Sequence, residues 1–435
     1  MNVTKLIEFA EVAVAYKMGF SLSHLQKVIL QECCQNPTKT YEQIASELNY
    51  SPNYLKKKVI PLLWRILSET FGEKVTKANC YSVLEKNALV WESSPPTEMK
   101  LERADGPVPL GSPFYVRRPH LEQLGYEELL ESGALLCLQG MSKVGKTSLL
   151  VRLLNDVEKE SYRTIRLSLN VASTQILSSV EKFVRWFCAN ITQQFENEIY
   201  LQEFWRDDVG ALTNCSLYLK QYLLSRSPVP IVLALDEFDR LFAHPTIAND
   251  FLRLLRSWYE EGKDNPLWQK LRIVLVYSTE VHLLLKTSKT PIDIGSSLVV
   301  PPFNALQVRQ LAGYHRLYLT SSEVDRLQSQ LGGFPDLVRK VFYHAVRDDL
   351  DWSDLISNLA SDRSIVSDRL HEKLHWLRTH PDLLAAYRQV LNSDRPLVLE
   401  SQIAFQLQSL GLVNQQEDGI ITSCELYRQY FRERL

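Results

Sequence analysis

The sequence predicts an α/β protein with a parallel sheet at its centre and helical segments before and after it in the chain. Between residues 113 and 303, five short apolar runs alternate with helical patterns, which is typical of βαβ units. A glycine-rich stretch directly follows the first run, and the flanking regions have helical periodicity. The predicted strands are ALLCLQ (134–139), TIRLSL (164–169), IVLALD (231–236), RIVLVYS (272–278) and SLVV (297–300).

The composition is that of a globular protein with cores large enough to need no covalent staples. Of 435 residues, 45% are hydrophobic, and the formal net charge of -2 gives no global positive field that would attract nucleic acid or an anionic membrane. Seven scattered cysteines without a CxxC pattern indicate reduced thiols in a cytoplasmic protein with no zinc site. The first twenty residues do not have the pattern of a secretory signal, and no apolar run approaches the roughly 18 residues of a membrane span.

Residues 1–90 are predicted to form short helices that include a helix-turn-helix. Thr40 and Gln43 make a capping box, and Ser51 followed by Pro52 begins a second helix after a tight turn. We expect Pro61 to break or kink that second helix, which leaves about eight residues.

The second helix has two open interpretations. Asn53, Lys56 and Lys57 could face a DNA major groove, with Lys58 near the phosphates. Acidic and basic residues nearly balance across the first 90 positions, however, and this favours a protein-docking module instead.

Proline- and glycine-rich stretches and changes of periodicity divide the rest of the chain into four segments. Residues 91–112 are rich in proline, glycine and serine and predict a linker to the sheet domain at 113–303. After Pro302 the pattern is helical, which predicts a helical domain at 304–372. Residues 373–435 include a helix, a strand, an Asp418–Gly419 turn, a strand and a helix, the pattern of a small winged helix.

The glycine-rich stretch from Gly140 to Thr147, GMSKVGKT, matches the phosphate-binding P-loop pattern. Its glycines let backbone N–H groups surround phosphate oxygens, and the following helix directs its positive end at them. Lys146 would bridge the β- and γ-phosphates, and the Thr147 hydroxyl would ligate Mg²⁺. The sequence therefore predicts a nucleoside triphosphate site.

An acidic pair ends the third predicted strand, in IVLALDEFDRLF. Asp236 would hold Mg²⁺ through water, and Glu237 would polarise the water that attacks the γ-phosphate. The next strand ends at Ser278 and Thr279, which could contact the γ-phosphate or orient water. A helix N-cap is the equally supported alternative for these two residues.

Taken together, FYVRRPHLE, GMSKVGKTS, IVLALDEFD, VYSTE and GGFPDLV, in this order, resemble the AAA-like and STAND (signal-transduction NTPase) branch of P-loop ATPases. Residues 113–435 resemble a bacterial AAA-like ATPase domain in particular. The amino-terminal part resembles the helix-turn-helix domain of proteins associated with von Willebrand A and MoxR modules. The resemblance implies a P-loop NTPase core of AAA+/STAND type with a parallel sheet, an α-helical lid, a winged helix and an amino-terminal helix-turn-helix domain.

The resemblance also implies roles for single residues, with ATP or ADP and Mg²⁺ as ligands. Tyr115, Val116 and Arg118 match a segment that lies against adenine and ribose, and Pro335 matches a proline that contacts the nucleotide and reports its state to the lid. A new helix that simply begins at Pro335 is the structural alternative. The expected loop contacts are Gly140, Met141, Ser142, Lys143, Val144, Gly145, Lys146, Thr147 and Ser148.

Ring-forming AAA+ motors carry an arginine finger soon after the strand that ends at Ser278. This chain has Lys286 and Lys289 there but no arginine, and Arg240, Arg253 and Arg256 are candidates to act in trans or else are solvated charges. An arginine finger contributes roughly 10³ to 10⁵ in rate, so hydrolysis should be slow without one.

The sequence thus favours a slowly hydrolysing regulatory switch whose helical flanking domains bind a protein partner or drive nucleotide-dependent self-assembly. A DNA-handling ATPase is the alternative. A small-molecule kinase is disfavoured, because the Asp236–Glu237 pair positions water rather than an acceptor group. No membrane partner is expected.

Overall fold

The computed structural model describes residues 3–18, 22–48, 50–93, 101–196, 201–206, 208–280 and 292–435. A five-stranded parallel sheet lies at its centre, with strand order β2-β3-β4-β1-β5. All five predicted strands are confirmed within one residue at each end. They are β1 (Leu135–Gly140), β2 (Arg163–Ser168), β3 (Ile231–Asp236), β4 (Leu271–Ser278) and β5 (Ser296–Val299).

Both faces of this sheet are buried along β1, β3 and β4, which is why these three strands are nearly continuous apolar runs. Successive side chains of a strand point to opposite faces. Leu136 and Val274 belong to the core on one face, whereas Leu135 and Ile273 belong to the core on the other. The first face is covered by α7 (Pro119–Leu130) and α8 (Lys146–Lys159).

Helices of the intervening segments cover the second face, where aromatic side chains dominate the core. Phe187 and Phe251 pack edge to face with their ring centroids 5.0 Å apart. The helices that follow β2 and β3 are α9 (Val180–Glu196), α10 (Leu201–Phe204), α11 (Ala211–Tyr218), which continues as a π-helix at Leu219–Leu224, and α12 (Pro245–Asp264).

The amino-terminal residues form a separate all-helical core. Its helices are α1 (Val3–Met18), α2 (His24–Gln35), α3 (Tyr41–Glu47), α4 (Pro52–Tyr54), α5 (Ile60–Phe71) and α6 (Cys80–Ser93). The capping box is present, since the Thr40 side chain accepts from the Gln43 backbone while the Gln43 side chain accepts from Thr40. The two predicted helices are present as α3 and α4, while Asn49 in the turn between them lies outside the described residues.

Pro61 does not shorten the second helix of that pair, and our prediction of a break was wrong. Leu55–Val59 forms a π-helix that joins α4 to α5 without a gap. The backbone N–H of Ile60 bonds to the carbonyl of Leu55, five residues earlier. This wider turn accommodates the proline, which lacks an N–H and would clash with a carbonyl in an α-turn.

The amino-terminal core packs on the carboxyl-terminal half of the chain through a buried ion pair. Glu11 of α1 lies 2.6 Å from Arg309, with side chains 7% and 11% exposed, and it also accepts from Lys27 at 2.9 Å. Arg309 belongs to α13 (Ala305–Tyr314), the first helix after the sheet. The two parts of the chain are thus in direct contact.

The residues after the sheet are helical, as expected. They form α14 (Ser321–Leu331), α15 (Pro335–Arg347), α16 (Trp352–Ser357), α17 (Ser367–Thr379), α18 (Pro381–Leu391) and α19 (Ser401–Ser409). An antiparallel hairpin of β6 (Val413–Gln416) and β7 (Gly419–Thr422) then precedes α20 (Glu425–Arg432). The helix–hairpin–helix order is the predicted one, while a lid function and membership of the winged-helix class stay predictions.

Residues 101–112, part of the expected linker, lie against the helix that follows the glycine loop. The backbone N–H of Val108 donates to the buried Ser148 hydroxyl at 2.9 Å, and Arg152 donates to the carbonyls of Val108 and Pro109. Our proposed division into five domains stays a prediction. Within the described ranges, no helix is both long and apolar enough to cross a membrane.

Candidate nucleotide-binding site

The carboxyl ends of β1, β3 and β4 meet at one edge of the sheet and bring the predicted site residues together. β4 lies between β1 and β3, with Gly140 opposite Ser278 in the register of β1 and β4. The tip of β4 therefore lies between the end of β1, where the glycine loop begins, and the end of β3, where the acidic pair lies. Ligands of open parallel sheets bind at such an edge.

Two glycines of the loop occupy positions that other residues fit poorly. A Cβ on Gly140 would lie 2.6 Å from the carbonyl oxygen of Val300. Gly145 has a left-handed φ of 96° at the N-cap of α8. Lys143 is also left-handed, with φ 63°. The loop thus has the backbone form of an anion-binding nest ahead of a helix N-terminus.

Lys146 points its ammonium group back over this loop. Its Nζ donates to the carbonyls of Gly140 and Met141 at 2.9 and 2.8 Å. Burial lowers the pKa of Lys146 to about 8, although the nearby carboxylates of Glu280, Asp239 and Asp236 act in the opposite direction. A phosphate placed in the loop would favour the charged form of Lys146.

Thr147 and Asp236 are suited to a shared divalent cation. The Thr147 hydroxyl donates to Asp236 Oδ1 at 3.2 Å, and Asp236 is 2% exposed. A hydroxyl and a carboxylate are the oxygen ligands that Mg²⁺ takes beside nucleotide phosphates. The donor set therefore fits the expected Mg²⁺.

Asp236 also has a basic partner that the sequence did not predict. Arg166 of β2 donates from its guanidinium to Asp236 Oδ2 at 2.8 Å, and its side chain is 38% exposed. Asp236 Oδ1 thus accepts from the Thr147 hydroxyl and from the backbone N–H of Glu237 at 3.0 Å, and Oδ2 accepts from Arg166.

Glu237 is held in a strained conformation beside this pair. Its φ of 58° is left-handed, which costs a non-glycine residue about 1–3 kcal/mol and is typical of functional sites. The Ser168 hydroxyl donates to Oε2, and the Asn170 side chain donates to Oε1 at 2.8 Å. Because each carboxylate oxygen has a second lone pair, Glu237 can still accept from a water.

Ser278 and Thr279 lie at the tip of β4, as predicted, and both already have partners. The Ser278 hydroxyl donates to Glu280 at 3.1 Å, and its backbone N–H donates to Asp239. The Thr279 hydroxyl donates to the carbonyl of Ser409 in α19 at 3.1 Å. Residues 281–291, which include Lys286 and Lys289, lie outside the described part of the chain, so the N-cap alternative stays open.

Residues 115–118, the segment expected to lie against the nucleotide base, contact the glycine loop through Arg118. Arg118, 6% exposed, donates to the carbonyls of Val144 and Pro301. Tyr115 donates to Glu122 at 3.1 Å, and Val116 is buried in the carboxyl-terminal core. Arg118 thus joins the glycine loop to the end of the sheet, while contact of these residues with a nucleotide stays a prediction.

Pro335 is the first residue of α15, and its neighbours join this turn to the loop. A Cβ on Gly411 would lie 2.6 Å from the sulfur of Met141 and 3.3 Å from the Phe334 ring. Asp336 accepts from the buried Arg369 at 2.7 Å. The structural alternative, a helix beginning at Pro335, is confirmed, and its proposed nucleotide contact stays a prediction.

Helix α17 extends two charged side chains toward the site. Lys373, with its side chain 2% exposed, forms an ion pair with Glu280 at the tip of β4. The preceding Glu372 lies 3.9 Å from Lys143 of the glycine loop. Residues 367–409, from α17 to α19, are called the carboxyl-terminal segment below. This segment therefore contacts the glycine loop and the tip of β4 together.

The three candidate trans-acting arginines lie after β3. Arg253 pairs with Asp250 at 2.5 Å, with its side chain 76% exposed, and Arg256 pairs with Asp293. Arg240 follows Glu237 within a 3₁₀ helix. A trans-acting role for any of them stays a prediction.

Sequence patterns did not predict several residues of the site. The polar alternation at the end of β2 was a usable signal, because Arg166 and Ser168 share a face of a strand that ends beside Asp236. No sequence pattern predicted a role for Lys373, because this residue lies on α17, 93 positions after Glu280.

A parallel sheet with this loop after a central strand and an acidic pair after another defines the P-loop class of nucleotide-binding proteins. Residues 103–433, about three quarters of the chain, match the family described as AAA-like domain. The chain belongs to this AAA-like P-loop ATPase family. Residues 1–87 match the vWA-MoxR associated protein N-terminal HTH, which confirms the second predicted resemblance.

The sequence identity to individual relatives is low. An uncharacterized WD repeat-containing protein of Synechocystis sp. is 22% identical over 260 residues, which are 57% of this chain and 21% of that relative. The chain thus spans about a fifth of the relative's length. The Walker-type ATPase PABY2304 of Pyrococcus abyssi is 15% identical, with 73% of this chain and 95% of that one covered and a TM-score of 0.53.

A second solved structure, the ORC2 protein of Aeropyrum pernix in ADPNP-ADP complexes, is 15% identical, with 77% of this chain and 98% of that one covered and a TM-score of 0.47. At 15% identity, the likeness to PABY2304 shows the fold alone.

Nucleotide affinity should fall as pH rises above about 8. Phosphates favour the protonated Lys146, so the complex binds more protons than the free protein above the free pKa of about 8. The loss should approach about tenfold per pH unit and can be measured by titration with a fluorescent ATP analogue. Lys146→Ala should bind weakly at every pH, and a flat wild-type profile would contradict the assignment.

Proposed function

We propose that this protein is an ATP-binding, slowly hydrolysing regulatory switch of the AAA-like/STAND class. The observation that carries the proposal is that the carboxyl-terminal segment contacts the glycine loop and the tip of β4 at once, through Glu372–Lys143, Lys373–Glu280 and Thr279–Ser409. A ligand that changes these contacts when it binds the loop would shift the position of that segment, and this is the requirement for a switch.

Each residue at the edge has a defined task in this proposal. Lys146 neutralises the β- and γ-phosphates, and the backbone of the loop donates to them. Mg²⁺ on Thr147 and Asp236 would neutralise charge that develops on the phosphates. Glu237, oriented by Ser168 and Asn170, accepts a proton from the attacking water.

Slow turnover is the expected kinetic behaviour. Both oxygens of Glu237 already accept hydrogen bonds, so an attacking water must use a remaining lone pair of this carboxylate. The arginine candidates on α12 pair with their own acidic neighbours. A slow ATPase keeps its nucleotide state long enough for a partner to read it.

The readout would pass through the carboxyl-terminal helices to the amino-terminal domain. The Glu11–Arg309 pair attaches that domain to α13, the first helix after the sheet. A shift of the helices between α13 and α17 would therefore move the surface that the amino-terminal domain presents. We propose an unidentified protein as the partner and nucleotide-dependent self-association as a second output.

Glu237→Gln should keep ATP binding and lower turnover by about 10²–10⁴, because it removes the proposed general base and keeps the shape. Single-turnover hydrolysis and analogue titration measure the two effects separately. Light scattering of this variant with ATP and with ADP would report the oligomeric state of each form. Normal hydrolysis by Glu237→Gln would refute the role of Glu237.

Lys373→Met should loosen the carboxyl-terminal segment, since Glu280 loses its ion-pair partner in a largely buried site. Amide hydrogen exchange in α17 and α19 should accelerate at least about tenfold and lose its dependence on ATP. Lys340→Met is the matched control, because Lys340 lies on the neighbouring α15 and makes no ion pair among the described residues. Unchanged exchange in Lys373→Met would count against the switch.

A DNA-handling ATPase is the second candidate, and a surface of the amino-terminal domain favours it. Tyr50 and Tyr54 are 46% and 49% exposed and stack with ring centroids 6.2 Å apart. Lys57 and Lys58 are exposed on the same helix, whereas Lys56 pairs with Glu42. Exposed tyrosines beside lysines suit phosphate and base contacts.

The double substitution Lys57→Gln/Lys58→Gln should weaken duplex DNA binding at low salt and reduce the slope of log affinity against log salt by about 2. Fluorescence anisotropy with a labelled duplex measures both. Lys74→Gln/Lys86→Gln removes the same charge from other exposed positions of the domain and should have a smaller effect. No binding by the wild type at low salt would exclude DNA.

A further inference from the structure

We propose that Arg166 is a positioning residue that competes with Mg²⁺ for Asp236, so that a metal–nucleotide complex must displace its guanidinium to engage the site. This inference rests on the proposed nucleotide site and adds a regulator of metal loading from the same chain. Arg166 lies on β2, the edge strand farthest from the strand that precedes the glycine loop.

The register of β2 against β3 determines the position of the Arg166 backbone. Ser168 lies opposite Asp236 in the register of β2 and β3, and Arg166 lies opposite Ala234, two residues earlier. The Gln194 side chain bonds to both the N–H and the carbonyl of Arg166, at 3.2 and 3.0 Å. The strand edge is thus anchored to α9, while the guanidinium extends along the strand to Asp236.

Charge at Asp236 determines what the guanidinium does. A carboxylate that is 2% exposed is costly without a cation, and Arg166 supplies one at 2.8 Å from Oδ2. Asp236 Oδ1, 3.2 Å from the Thr147 hydroxyl, belongs to the donor pair that fits Mg²⁺. A divalent cation and a guanidinium on the same carboxylate repel each other, so metal binding weakens the arginine contact.

Exposure makes the displacement feasible. The Arg166 side chain is 38% exposed, so it can leave Asp236 for solvent without burying an unpaired charge. Lys146, by contrast, is part-buried and donates to the carbonyls of Gly140 and Met141 within the loop. Of these two cations, Arg166 is therefore the one suited to exchange with a metal.

The consequence is a raised Mg²⁺ requirement. Metal must first break an ion pair, and a partly exposed pair changes an equilibrium by up to about fivefold. The nucleotide-free form would then keep Asp236 neutralised and discourage binding of Mg²⁺ without nucleotide.

The test is the Mg²⁺ dependence of binding of a fluorescent, non-hydrolysable ATP analogue. In Arg166→Gln the half-saturating Mg²⁺ concentration should fall about fivefold, while the affinity measured in saturating Mg²⁺ stays unchanged. Arg166→Lys keeps the charge and should restore most of the wild-type requirement. Arg185→Gln is the matched control, because Arg185 is similarly exposed at 36% and pairs with Glu181 of the same helix.

An unchanged Mg²⁺ requirement in Arg166→Gln would overturn the inference. Loss of analogue affinity in saturating Mg²⁺ would also overturn it and would assign Arg166 to the phosphates instead. If the wild type fails to bind the analogue at any Mg²⁺ concentration, the nucleotide site itself is refuted and the inference falls with it. Thermal melting of Arg166→Gln and Arg166→Lys shows whether each variant is folded.

Discussion

The position of β4 between β1 and β3 is the constraint on which the rest of the molecule depends. Because both faces of the sheet are covered, polar side chains are concentrated where the strands end. The glycine loop after β1, the acidic pair after β3 and the tip of β4 therefore meet at one edge. The contact between Thr147 and Asp236 across 89 positions of sequence follows from this strand order.

Balanced charge governs the chemistry at that edge. Three cationic side chains, Lys146, Arg166 and Lys373, approach a cluster of carboxylates that includes Asp236 and Glu280. A buried ion is tolerated only with a partner, so each cation holds its own segment of chain in place. Phosphates or a metal ion that enter such a site change these pairings, and the chain segments that supply the cations respond.

This arrangement connects the chemistry to the distant parts of the fold. Arg118 ties the glycine loop to the end of the sheet through the carbonyls of Val144 and Pro301. Arg369 ties the turn at Pro335 to α20 through Asp336 and the Tyr427 hydroxyl. Both arginines are buried, and each donates to two separate segments of the chain.

The sequence by itself determined the strands, the helices around them and the principal site motifs. These features are local: apolar runs, capping boxes and the glycine spacing act over a few residues. Strand order, the π-helix that accommodates Pro61, and the partners Arg166 and Lys373 were decided only by the tertiary structure. Their contacts join positions 70 and 93 residues apart, and no local pattern encodes which distant charge a buried carboxylate will meet.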